Sequence, residues 1–409
     1  MIKLSVIEPL ATRARVASSA IGIWWSRHGV LVLRLACTVM ALLAALKLGD
    51  EFRRLLLDQG HNGAVDLRTL HQLVREWFNG RPLYQEPHPP GYPPASYVLL
   101  WPFLGWLDFE PARWLWAVTS VLALAWLVHL VVRESGATTR LEGVFVALLA
   151  LSMNATGVTI GNGPLILHIL PVVLFTLLLL RDSHGSWRVQ LLAAGLLLFT
   201  LVKPTISAPF LWMALFSGGG LVTIALIIVG YAGLTLFTLS FLEPTVRVWA
   251  RVWMERATTL AATGGYADLH RWLASLGLQQ WTLWASLLVF VTLGFWVHRH
   301  RKGDFWILLG VTAIAARLWA YHRVYDDVLI LLPMVALFRT AKGETSSEST
   351  RIAAGLLLAA TIVSMLAPAR LERFQWPWSL MFTGGHALVW LALLGFLLDR
   401  ARRNRKAEV

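Results

Sequence analysis

The sequence predicts an all-α polytopic membrane protein with about twelve transmembrane helices in a single domain, residues 1–409. Of its 409 residues, 57% are hydrophobic and only 14% are charged, and 21 are tryptophan. Soluble domains carry about 25% charged residues, so this composition excludes an ordinary soluble fold. Apolar runs long enough, or nearly long enough, to cross a bilayer recur along the whole chain.

The formal net charge of +13 does not indicate a nucleic-acid partner. The basic residues of the chain lie at the ends of apolar runs, as the positive-inside rule describes. Lys3, Arg13, Arg15 and Arg27 precede the first run without a small-residue cleavage site, which predicts an uncleaved signal anchor. The single cysteine, Cys37, excludes a disulfide framework.

The predicted spans follow one another closely. They fall at about 30–48, 111–132, 141–157, 163–180, 188–202, 204–217, 220–242, 281–298, 304–320, 326–339, 352–367 and 378–399. The apolar piece 97–107 is too short for a crossing, and if it stays on one side, all short basic loops share the side of the N-terminus. The sequence therefore predicts an inner-membrane protein with both termini cytoplasmic and two larger periplasmic loops, 49–110 and 243–280.

The first outer loop contains two predicted surface helices. From Leu67 to Phe78 the apolar residues recur at helical spacing, which indicates a short amphipathic helix in the membrane surface. The second helix is the 97–107 piece, which follows the rigid segment Tyr92-Pro93-Pro94. Asp66 stands just before the first helix, where it could cap the first turn. It could equally act as a base that takes a proton from an acceptor hydroxyl.

The order of several motifs resembles glycosyltransferase family 87, which belongs to the C superfamily of integral membrane glycosyltransferases. The resemblance covers about residues 60 to 335. It rests on Asp66-Leu67, Gly80-Arg81-Pro82-Leu83-Tyr84, Tyr92-Pro93-Pro94, Pro102, Ala112-Arg113, Gly161-Asn162, Leu201-Val202-Lys203-Pro204-Thr205, Tyr321-His322-Arg323, Asp327 and Pro333. Relatives often carry Gly-Gln-x-Asn where this chain has Gly161-Asn162-Gly163-Pro164, so the role of Asn162 and the donor sugar stay open.

The resemblance implies an inverting transfer of a hexose, mannose first among them, from a polyprenyl-phosphate donor to a lipid or glycan hydroxyl. It implies Asp66 as the general base, Lys203 near the donor phosphate, and His322 and Arg323 in the same cavity. Lys203, His322 and Arg323 also suit phosphate contact as cationic groups at outer span ends. The remaining cavity or acceptor candidates are Tyr84, Tyr92, Asn162, Asp327, Glu243, Asp268 and His270. We further expect Asp327 to pair with Arg323, four residues earlier.

No Cys/His cluster has metal-ligand spacing, and no glycine-rich phosphate loop occurs, so neither a metal nor another cofactor is expected. The expected partners are the lipid-linked donor, the acceptor and membrane lipids, with the oligomeric state open. Two other functions remain: a flippase of lipid-linked saccharide and an O-antigen polymerase or ligase. The flippase is disfavoured because the surface-helix loop occurs once, whereas transporters are often built from two similar halves. The 243–280 loop keeps the polymerase or ligase open.

Overall fold

The computed structural model describes residues 7–60, 62–81, 91–183, 185–241, 247–249, 251–252, 255–256, 259, 266–343 and 346–408. Within these ranges all regular structure is helical, which confirms the predicted all-α class. Tyr84 and Glu243 lie outside the described residues.

The helices fall into a long and a short set. The long helices are α1 (Ile7–Leu57), α4 (Phe109–Glu134), α11 (Gly220–Leu239), α13 (Thr282–His300), α16 (Glu348–Leu366) and α17 (Trp378–Glu408). The short ones are α2 (Val65–Phe78), α3 (Ala95–Leu104), α5 (Arg140–Ser152), α6 (Asn154–Asn162), α7 (Ile166–Asp182), α8 (Trp187–Thr200), α9 (Pro204–Ser207), α10 (Leu211–Leu215), α12 (Leu269–Ser275), α14 (Phe305–Leu318) and α15 (Leu331–Lys342). Four 3₁₀ helices cover Ala208–Phe210, Gln279–Trp281, Val324–Ile330 and Ala369–Arg373.

Six described helices are long and apolar enough to cross a membrane, or seven if the bent pair α5–α6 forms one span. The expected count of twelve is therefore not confirmed. The difference lies partly in the centre of the bundle, where α14 has 14 residues and α15 has 12. At 1.5 Å per residue they rise only about 21 and 18 Å, against a hydrocarbon core of about 30 Å. Both are buried along nearly their whole length, so other helices rather than lipid surround them.

The predicted amphipathic helix is present as α2. Its buried face carries Leu67, Leu70, Val74 and Trp77, and Trp77 stacks on Tyr97 of α3 with ring centroids 4.5 Å apart. The short apolar helix α3, ten residues long, matches the expectation that this piece is too short to cross. The two helices of the first large loop therefore pack on each other.

The start of α2 is fixed by the end of α6. The Ala64 N–H donates to the Gly161 carbonyl at 3.1 Å, and Gly163 adopts a left-handed φ of 75° as α6 ends. A Cβ on Gly163 would lie 2.7 Å from the Leu67 Cβ, so only glycine lets α2 approach this closely. An added Cβ on Gly161 would likewise collide with the Glu51 and Arg54 side chains of α1. The glycines around Asn162 thus bring α1, α2 and α6 together.

The chain breaks at Lys203-Pro204, as the sequence indicates. Helix α8 ends at Thr200, and Pro204 is the first residue of α9. The Ser96 hydroxyl donates to the Val202 carbonyl at 2.7 Å, and the Trp319 Nε1–H donates to the Thr205 carbonyl at 2.7 Å. Side chains from other helices therefore satisfy the carbonyls around this break, as non-helical backbone in a membrane protein requires.

Candidate active site

A large cavity of about 1190 Å³ lies at the C-terminal end of α1. Its walls come from α1, the start of α2, the bend between α5 and α6, the segment 323–325 and the C-terminal end of α16. The lining residues are Leu43, Lys47, Asp50, Glu51, Arg53, Arg54, Leu57, Asp58, Asn62, Val65, Asp66, Ser152, Asn154, Val158, Asn162, Tyr266, Arg323, Val324, Tyr325, Leu366, Pro368, Ala369 and Arg370. Three of the sequence-predicted site residues are in this lining: Asp66, Asn162 and Arg323.

Asp66 is the second residue of α2 and is not its cap. The N-cap position belongs to Ala64, whose φ of 50° places it in the left-handed region, and no side chain caps the helix there. Of the two roles that the sequence leaves open for Asp66, capping is thus excluded. Its carboxylate lines the cavity instead.

The surroundings of Asp66 favour proton uptake at a higher pH than an ordinary aspartate. Burial raises the pKa of its carboxyl, while the positive charges of Lys203 and Arg323 and a hydrogen bond from the Tyr325 hydroxyl lower it in part. A carboxylate that is half-buried, partly stabilised and open to a cavity has the properties of a general base.

Tyr92 lies in the same electrostatic environment, since burial and the negative charges of Asp66 and Asp326 raise the pKa of its hydroxyl. At neutral pH it is therefore a neutral hydroxyl that can donate or accept a hydrogen bond. Asn162, the last residue of α6, presents an amide in the lining. Its position follows from the glycines on either side, which close the α1–α2–α6 junction.

Lys203 and His322 are held by an acid that the sequence reasoning did not select. Lys203 Nζ lies 2.8 and 3.1 Å from the two carboxylate oxygens of Asp326, and His322 Nδ1 lies 3.0 Å from Oδ2. The Arg323 backbone N–H also donates to Oδ2, at 3.2 Å. Burial opposes ionisation of Asp326, but Lys203 and His322 outweigh it and hold its pKa well below the usual range. Neither Lys203 nor His322 lines the cavity.

Sequence spacing alone could not have singled out the contact between His322 and Asp326. They are four residues apart, the same spacing that led to the expected Arg323–Asp327 pair. That expected pair is wrong: Asp327 instead accepts from Arg317 Nε of α14 at 2.6 Å. Arg323 precedes the 3₁₀ helix Val324–Ile330 and has an extended backbone, so the side-chain spacing of an α-helix does not apply between Arg323 and Asp327.

Asp268 and His270, the described acceptor candidates of the second large loop, make structural contacts. The Asp268 carboxylate accepts from the Arg271 N–H at 2.8 Å, which caps α12, and from the Tyr266 and His322 N–H groups at 3.1 Å. His270 Nε2 lies 2.6 Å from the Ser286 hydroxyl. Both side chains are buried and outside the cavity lining. They attach this loop to the segment that carries His322 and Arg323.

Several cavity residues are absent from the sequence-based set. They include the Tyr325 hydroxyl beside Asp66, the charged last turns of α1, and Arg370 in the 3₁₀ helix Ala369–Arg373. No local motif marks them, because only the fold brings the end of α1 against the end of α16. Among the described residues, no group of three or more His, Cys, Asp or Glu side chains is arranged to hold a metal ion.

Comparison with known proteins supplies one match. Residues 91–342 match the model of glycosyltransferase family 87, which covers more than half of the chain. No curated protein and no solved structure matches. The matched segment contains Lys203, Arg323 and Asp326, and it begins after Asp66, whose carboxylate lines the same cavity as Arg323. The chain belongs to glycosyltransferase family 87.

Proposed function

We propose that this protein transfers a hexose, with mannose the first candidate, from a polyprenyl-phosphate donor to a hydroxyl of a lipid or glycan acceptor. The proposal places the reaction in the cavity at the end of α1, on the periplasmic face of the inner membrane. The observation that carries it is the position of Asp66: a carboxylate with a raised pKa, free of capping, in a large cavity of a family 87 glycosyltransferase.

In the proposed reaction Asp66 takes the proton of the acceptor hydroxyl. The hydroxyl oxygen attacks the anomeric carbon from the face opposite the phosphate, and the bond between that carbon and the phosphate oxygen breaks. The bonding electrons leave with the polyprenyl phosphate, which takes on a second negative charge and needs no proton because phosphate is only weakly basic. One displacement inverts the anomeric configuration.

The leaving phosphate needs cations nearby, since negative charge builds up on it in the transition state. Arg323 is the sequence-predicted cation that lines the cavity. Lys203 forms an ion pair with Asp326. Its role in the proposal is to add positive charge near the cavity and to hold the His322–Arg323 segment in place. In the proposal, the Asn162 amide orients sugar hydroxyls from the cavity lining, and the neutral Tyr92 hydroxyl, which lies outside that lining, acts near Asp66.

The test is a transfer assay with purified protein in nanodiscs, a panel of polyprenyl-phosphate sugars and native lipid extract as acceptor. Wild type is expected to transfer sugar from one donor, with inverted configuration in the product by NMR. The Asp66→Asn protein is expected to be inactive at unchanged thermal stability. Full transfer by Asp66→Asn would contradict the role of Asp66 as the base. Retention of the anomeric configuration would contradict a single displacement.

A further inference from the structure

The cavity opens toward the surface of the bundle that lipid would cover. Leu43 and Leu57 of α1 both line it, yet they are 40% and 68% exposed on the outside of the protein. On the other wall, Leu366 ends α16 and is followed in the lining by the exposed Pro368. The opening therefore lies between the C-terminal ends of α1 and α16.

The walls of this opening change from apolar to charged along α1. Residues 35–46 of α1 carry no charge, and the charged residues of the lining begin at Lys47. Leu43 lies 14 residues before the end of α1, about 21 Å along the helix axis. One cavity thus extends from the apolar part of a membrane span to its polar end, which suits a molecule with an acyl or prenyl chain and a polar head.

Among the described residues, two cations of this cavity, Arg323 and Arg370, have no carboxylate partner. Lys47 and Arg54 both pair with Glu51, at 2.8 and 2.6 Å, and Arg53 pairs with Asp50 at 3.0 Å. Within the described part of the chain, the Arg323 guanidinium donates only to the Tyr321 hydroxyl, at 2.6 Å, and Arg370 is exposed without an ion pair.

A free guanidinium at the polar end of an amphipathic opening is suited to bind a phosphate, which accepts two parallel N–H bonds. We propose that a lipid phosphate reaches the site laterally from the bilayer, between the C-terminal ends of α1 and α16, and that Arg370 binds its phosphate in the cavity that Arg323 also lines. This rests on the proposed function and assigns phosphate binding to Arg370, which lines the cavity, instead of Lys203, which does not. The phosphate can belong to the polyprenyl donor or to an anionic phospholipid acceptor.

Native mass spectrometry in detergent tests the site without any transfer reaction. The probes are undecaprenyl phosphate, undecaprenol as its uncharged counterpart, and phosphatidylglycerol. Arg370→Gln is expected to weaken binding of a lipid phosphate by roughly 10- to 100-fold, the loss of one charge-assisted contact. Arg402→Gln, an exposed arginine 24 residues beyond the start of α17, is the matched control and is expected to bind as wild type.

The outcomes separate the two sources of phosphate. A loss for undecaprenyl phosphate assigns the site to the donor, and a loss for phosphatidylglycerol alone assigns it to an anionic acceptor. Unchanged binding of both by Arg370→Gln overturns the site, as does wild-type binding of undecaprenol equal to that of the phosphate. None of these results depends on Asp66, so failure of the proposed base would be seen separately in the transfer assay.

The route is tested by narrowing the opening. Leu366→Trp and Leu43→Trp, on its two walls, are each expected to slow transfer by at least tenfold with thermal stability retained. Val363→Trp and Leu46→Trp are their matched controls, because both residues lie on the same helices, are 71% and 73% exposed, and do not line the cavity. Equal rates in all four proteins would contradict lateral access at this place.

Discussion

Asp66 and Asp326 are two acids of one site region with opposite surroundings. Asp66 faces a large cavity, and its carboxyl is stabilised by one tyrosine hydroxyl and by cations at a distance. Asp326 is 1% exposed and touches Lys203, His322 and the Arg323 backbone. The same type of side chain can therefore take up a proton in one place and is held ionised at neutral pH in the other. The contacts of an acid, rather than its residue type or its closeness to the site, decide whether it can take up a proton or only holds neighbouring side chains in place.

The largest expected effect comes from Asp66→Asn. The substitution keeps the shape of the side chain but removes its capacity to accept a proton, so transfer should fall by about 10²- to 10⁴-fold. Thermal stability should stay unchanged, because Asp66 forms no ion pair with any described residue and does not cap α2. Rates are measured in nanodiscs beside an apparent Tm, and a parallel loss of both would place Asp66 with Asp326 as a structural acid.

Asp326→Asn should reverse that pattern. It leaves Lys203 and the buried His322 without their anion, and breaking a buried pair from one side costs about 3–5 kcal/mol. The apparent Tm should drop clearly, and activity should fall with the folded fraction. Asp182→Asn is the control, since the Asp182–Arg181 pair is partly exposed and such pairs contribute about 0–1 kcal/mol. An Asp326→Asn protein as stable as wild type would contradict the structural role of Asp326.

The next effect tests the junction that positions Asp66. Gly163→Ala places a Cβ in a left-handed residue, which costs about 1–2 kcal/mol, and pushes it against Leu67 of α2. Gly136→Ala has almost the same φ, 73°, but its nearest neighbour would be 3.7 Å away. Backbone strain should lower the stability of both variants by a similar amount. Only Gly163→Ala should also lose transfer. Equal activity of the two would show that α2 needs no close approach to α6.

The smallest effect concerns Tyr325→Phe. A hydrogen bond to the ionised carboxylate lowers the pKa, so losing it should raise the pKa of Asp66 further. Transfer needs the ionised base, and its rate falls as the pH drops through that pKa. The acid limb of the pH–rate profile should therefore move to higher pH, with a loss of a few fold below it and little change above. A limb that stays in place would argue that Asp66 is not the titrating group.

Part of this molecule could be predicted from the sequence. Composition predicted the membrane class, the period of Leu67, Leu70, Val74 and Trp77 predicted α2, and Pro204 predicted the break after Lys203. These features depend on local patterns. The twelve-span count is not confirmed, since α14 and α15 are apolar yet surrounded by protein, and hydropathy cannot separate such helices from spans.

The candidate site was predicted less completely, because its contacts join distant segments. Lys203 and Asp326 are 123 residues apart in the chain, and no pattern around either residue reports their ion pair. Asp327 was assigned to Arg323 on α-helical spacing, which the 3₁₀ turn does not have. Arg370 lines the cavity because α16 packs beside α1, a contact that the sequence does not report.

The central claim is that Asp66 removes the acceptor proton, and kcat for sugar transfer by Asp66→Asn at saturating donor and acceptor tests it most directly. The account predicts a kcat at least 100-fold below wild type with both KM values nearly unchanged, in protein that unfolds at the wild-type temperature. A wild-type kcat, or a loss confined to KM, would contradict it and make Asp66 a binding residue at most.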